Sequence, residues 1–143
     1  MKYVAISFFA YFILFGCGQK SDHHAGHDDM EESPNRALYD QVMDIHNEVM
    51  PKMDDLYKAK VKLTTRLNES PAPTDSEKQD LRKKIAQLDS ANENMMAWMR
   101  EFDPLPDSAG EDKARTYLEN ELKKVTEIRE KISRALAEAQ ADK

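Results

Sequence analysis

A chain of 143 residues with 27 acidic against 21 basic side chains, formally −6, lacks the positive excess that nucleic acid or anionic headgroups demand of a partner. The length suits one small domain with a tail. Cys17 is the single cysteine, so no disulfide can form within the chain and the fold must rest on packing.

Lys2 precedes an apolar run, residues 3–15, that is shorter than a bilayer span and the size of a signal-peptide core. The run ends in "LFGC", residues 14–17, which resembles a bacterial lipobox. That resemblance implies cleavage after Gly16 and lipid on Cys17, making residues 1–16 a lipoprotein signal peptide. Several acyl chains would anchor the product durably to a membrane. Residues 17–33 are then a lipidated, His/Asp-rich segment, too polar to bury enough surface to offset its ordering entropy. It reads as a flexible, disordered tether. His23, His24 and His27 stand there among acids and could capture Cu(II) or Zn(II) loosely; otherwise the segment is only a solvated spacer.

Residues 34–143 predict an all-α domain. Ser33 followed by Pro34 reads as an N-cap and first helical position, opening a helix that runs to about residue 68 and stops at "ESPAP". Thr74 with Glu77, and Ser108 with Glu111, fit the capping box. They open helices over about 75–102, which ends before "DPLP", and from about 109 nearly to the C-terminus. Apolar residues recur at spacings of three and four: Leu38, Val42, Ile45, Val49, Leu56, Leu63 and Leu67, then Leu81, Ile85, Leu88, Met95, Met99 and Phe102, then Leu118, Leu122, Val125, Ile128, Ile132 and Leu136. Each set forms one face, and short connections make neighbours antiparallel, so the expected fold is an up-down-up three-helix bundle. Pro51 falls inside the first helix, where it lacks an N–H and clashes with the Asn47 carbonyl. A kink is expected there, because the apolar stripe continues in register beyond it. Glu119–Lys123 and Glu127–Lys131 are oriented for i,i+4 support on the third helix.

If the first two helices turn around near residue 72, His46 lies level with Trp98 and Met50 with Met95. Met43, His46, Met50, Met95, Trp98, Met99 and Tyr117 then converge at the end where the first helix begins, leaving Leu, Ile and Val for the other half. Thioether and imidazole suit Cu(I), so His46, Met43, Met50, Met95 and Met99 are candidate ligands, with Trp98 as a π-face cover. The competing reading is ordinary core, since Met fills irregular gaps and packs well on aromatics, with His46 at the margin bonded to a carboxylate such as Asp103. A third reading is a surface where adaptable Met and aromatic side chains meet a protein partner.

Catalytic motifs are missing: there is no Gly-rich phosphate loop, G-x-S-x-G or H-E-x-x-H. "HNE" at 46–48 has the H-x-E form of zinc deaminases without the paired cysteines, and Met43 stands where a di-iron Glu-x-x-His would need Glu. A non-catalytic role is expected.

The blocks "MDIHNEVMPKMDDLY", "LDSANENMMAWM" and "YLENELKKV", spread over about residues 36–130, resemble small lipoproteins of Bacteroidota labelled "viral A-type inclusion protein". The resemblance implies the envelope of a Gram-negative bacterium. It carries over no activity. "GQKSD" after Cys17 partly resembles surface-export signals of such lipoproteins.

Overall fold

The computed structural model describes residues 34–69 and 72–141. The expected signal peptide, Cys17 and the expected tether with His23, His24 and His27 lie outside them. Among the described residues there are three α-helices, α1 (Arg36–Leu67), α2 (Asp75–Glu101) and α3 (Glu111–Gln140), with a 3₁₀ turn (Asp107–Ala109) before the last. Every helix packs on the other two, in the up-down-up order that the spacing predicts. Among the described residues no helix is long and apolar enough to cross a membrane.

The core follows a coiled-coil seam. On α3 the buried residues are Ala114, Leu118, Glu121, Val125, Ile128, Ile132, Ala135 and Ala139, alternating steps of four and three without a break. Tyr39, Val42, Val49, Leu56 and Leu63 line α1, and Leu81, Leu88, Ala91, Met95 and Trp98 line α2. A fully buried Leu or Ile contributes about 1.5–3 kcal/mol, so these seams hold the bundle together without any crosslink. Pro51 sits on the exposed side of α1, and the helix runs through it as one element. Solvent can take the carbonyl that the missing N–H leaves free.

Helix starts follow expectation at one place and depart at two. At α2, Thr74 forms the predicted capping box with Glu77: its hydroxyl accepts the Glu77 N–H at 3.3 Å, and its own N–H donates to Glu77 Oε2 at 2.8 Å. At α1 the capping position is Asn35, not Ser33, which lies outside the described residues. Asn35 is buried, and its side chain bonds α3 instead of its own helix. Nδ2 donates to the Glu111 carbonyl at 3.1 Å, and Oδ1 accepts from Arg115 Nε at 3.3 Å. Tertiary contact outcompetes local capping here. At α3 the capping position is Gly110, with φ +106°, and Ser108 is drawn into the 3₁₀ turn, so no Ser108–Glu111 box forms. That φ is open to glycine and strained for other residues.

Neither expected pair on α3 closes among the described residues. Lys124 instead reaches Glu121 at 2.8 Å, and Arg129 reaches across to Glu48 of α1 at 3.4 Å. The first of these pairs is local, at i,i+3 on α3, and the second crosses between helices.

Candidate functional site: the methionine and aromatic end

Two cross-helix contacts orient α1 against α2. Lys60 bridges to Asp89 at 2.6 Å, and the His46 ring stands 6.0 Å from the Trp98 ring. A shallow recess between Tyr57 and Asn92 lies on the same side. Seven-residue steps carry these registers along each helix. Met43 and Met50 share the side of Tyr57, Met53 that of His46 and Lys60, Met96 that of Asp89, and Met99 that of Asn92. The α1–α2 face is therefore a methionine strip with His46 near its upper end.

Depth varies along that strip. Met95 is fully enclosed at 0 % exposure, in the main core with Val42, Val49 and Trp98. Met53 and Met99 are half-buried against that core. Met43 packs on the separate Tyr39–Leu118 cluster. Met50 and Met96 reach solvent, at 36 % and 39 %. Of the expected ligands, His46 is thus placed beside its expected cover Trp98, while the four methionines are distributed between two packing clusters and the surface. Met53 was not among the expected ligands, yet it follows His46 by seven residues on the same flank; that interval was the signal for it.

His46 is half-buried. Its Nδ1–H donates to Asn47 Oδ1 at 3.1 Å, not to Asp103 as expected for a core histidine. The Asp103 backbone N–H donates instead to the Tyr117 hydroxyl at 2.6 Å. In a neutral ring with the proton on Nδ1, Nε2 is the lone-pair nitrogen; Nε2 has no hydrogen-bond partner among the described residues. Also among them, no three His, Cys, Asp or Glu side chains stand close enough to hold a metal ion. The methionines and His46 bring thioethers and one imidazole, a soft donor set, to this end.

Aromatic rings from all three helices meet here. Phe102 is the hub: Trp98 stacks on it at 4.9 Å, and Tyr39 and Tyr117 each stand at 6.2 Å. Beneath lies a residue the sequence reading missed. Glu121 is buried at 4 % exposure, and its Oε2 accepts the indole Nε1–H of Trp98 at 2.8 Å. Its other oxygen accepts from Lys124. The available signal was the α3 seam, on which Glu121 falls three residues after Leu118 and four before Val125. An acid on an apolar stripe needs a partner.

Charge states at this end follow the same contacts. The Glu121 carboxylate raises the Lys124 ammonium above its ordinary value. Burial raises the Tyr117 phenol, opposed by the Asp103 N–H that would stabilise the phenolate. Lys52 and then Arg129 hold the Glu48 carboxyl low.

No protein-family model, curated protein or solved structure matches the chain.

Proposed function

We propose that this is a non-catalytic lipoprotein of a Gram-negative cell envelope, anchored through lipid on Cys17, whose α1–α2 face binds a soft cation, Cu(I). Anchoring rests on the lipobox resemblance, and the envelope on the likeness to Bacteroidota lipoproteins. Binding rests on one observation above all: His46, its Nδ1 engaged and its Nε2 without a partner among the described residues, stands beside Trp98 with Met43 and Met50 one turn to either side along α1. Met99 supplies a thioether from α2, and Met95 closes the back of the group. Thioether and neutral imidazole hold Cu(I) without a thiolate, and the indole face favours a cation.

Titration of residues 34–143 with Cu(I) against a competing chelator tests this, with His46→Ala and Met50→Leu beside the parent. A saturable site, lost in the first variant and weakened in the second, is expected. Equal weak uptake by all three would remove the copper assignment. Omitting residues 18–33 separates this uptake from capture by His23, His24 and His27.

A second reading, an adaptor that meets another envelope protein, has its own observation. Among the described residues, Met50, Tyr57 and Met96 of this face are exposed large apolar side chains, as is Val61, one turn beyond Tyr57 on α1. In that reading Tyr57→Lys with Val61→Lys abolishes partner capture while leaving Cu(I) uptake unchanged.

A further inference from the structure

On the opposite flank of α2 from the methionine strip, a cleft of about 150 Å³ opens toward α3. Its cause lies in the two seams. Ala91 and Ala135, both buried, face it where neighbouring seam positions hold Leu88, Met95 and Ile132. Two short side chains at one level leave unfilled space that a leucine would occupy.

Five polar side chains share its walls with the two alanines. Lys131 and Arg134 line the α3 side, one turn apart, and neither has an ion pair among the described residues. Lys131 faces the cleft without closing on Glu127. Across from them stand Gln87, Ser90 and Asn94 of α2, with Asn94 Nδ2 donating to Ser90 Oγ at 3.5 Å. The Gln87 Oε1 atom is enclosed and meets no donor among the described residues. Two cations one turn apart without ion-pair partners among the described residues can draw an anion into the cleft. A guanidinium beside an ammonium matches an oxyanion in both charge and donor geometry. A buried acceptor without a donor selects among such anions, because only a ligand with its own O–H or N–H satisfies it.

We propose that this cleft binds a small oxyanion that also carries a hydrogen-bond donor, for which protonated inorganic phosphate is the simplest probe. Lys131 and Arg134 hold the negative oxygens, and Gln87 Oε1 accepts the ligand's proton. The site shares no residue with the copper proposal and stands or falls separately.

The full chain, held in a non-ionic detergent, is titrated calorimetrically at neutral pH with phosphate and then with sulfate, chloride being adjusted to keep ionic strength constant. Sulfate matches phosphate in size and charge but has no proton to donate. Saturable phosphate binding is expected, with sulfate about tenfold weaker, the discrimination of one hydrogen bond to a buried acceptor. Lys131→Gln and Arg134→Gln each weaken phosphate by about tenfold, and Gln87→Met erases the preference for phosphate. The absence of saturable heat, equal binding of the two anions by the unaltered chain, or unchanged binding by the Lys131→Gln/Arg134→Gln double variant overturns the proposal. The comparison of the two anions needs no variant, so a substitution that unfolds the chain leaves it decisive.

Discussion

Trp98 and Glu121 are joined across the bundle by a 2.8 Å hydrogen bond from indole Nε1 to carboxylate Oε2, with both side chains buried. The bond connects the middle helix to the third through Trp98, which also stacks on Phe102. It also resolves a conflict in the sequence, since it satisfies a buried carboxylate and a buried indole N–H together. Removing either partner leaves the other stranded, at about 1–3 kcal/mol, whereas removing both need not. Trp98→Phe and Glu121→Leu should therefore each destabilise, and the double variant should lose less than the sum. Chemical denaturation followed by far-UV circular dichroism measures this coupling. Strict additivity would mean that the bond contributes nothing beyond packing.

The helix starts separate local from tertiary capping. Thr74→Ala removes a formed capping box and should cost about 1 kcal/mol. Ser108→Ala removes a hydroxyl that caps nothing and should be near neutral. Gly110→Ala places a side chain at φ +106° and should cost about 1–3 kcal/mol through backbone strain, although open space surrounds its Cβ. Thermal melts of the three variants rank them. A Ser108→Ala cost equal to that of Thr74→Ala would contradict the observed start of α3.

Stability should fall at both extremes of pH. The Thr74 N–H and hydroxyl hold Glu77 below the ordinary 4.5, and Lys52 with Arg129 does the same for Glu48. Depressed carboxyls contribute fully above their unfolded value, and the contribution is lost as pH drops through the folded one. Burial of Tyr117 raises its phenol above the ordinary 10.0, and Glu121 raises Lys124 above 10.5. Those contributions are full below the ordinary values and disappear as pH climbs through the raised ones. An alkaline titration of phenolate absorbance should show a late component that Tyr117→Phe removes. A titration curve that Tyr117→Phe leaves without loss of a late component would refute the burial argument.

Met95 separates packing from ligation. Met95→Leu conserves volume and should cost under about 1.5 kcal/mol, while Met95→Ala leaves a cavity and should cost about 2–5 kcal/mol. If copper draws on its sulfur, the leucine variant weakens Cu(I) uptake with the melt almost unchanged. Unaltered uptake in that variant would assign Met95 to the core alone.

Pro51 lies inside a continuous helix with no packing role, because its position is exposed. Pro51→Ala restores an N–H to the Asn47 carbonyl and should stabilise the domain, by at most about 3 kcal/mol. A loss of stability on that change would show that the proline shapes α1 in a way the packing needs.

The three helices, their order and most of their seams were legible in the sequence, because apolar spacing at three and four and a single good capping box are local signals. Proximity of His46 to Trp98 was legible as well, since antiparallel helices with a short connection leave little freedom of level. Three things required the tertiary structure. Asn35 and Ser108 depart from local capping because the neighbouring helix offers Asn35 better partners and the 3₁₀ turn takes up Ser108. Glu121 looks like one more surface acid until the third helix turns it toward the indole of the second. Ala91 and Ala135 are unremarkable on their own helices, and only the level at which they meet opens a cleft between Gln87 and Arg134. Periodicity determines which face of a helix is buried; what that face meets depends on rotation and height between helices, which no single segment encodes.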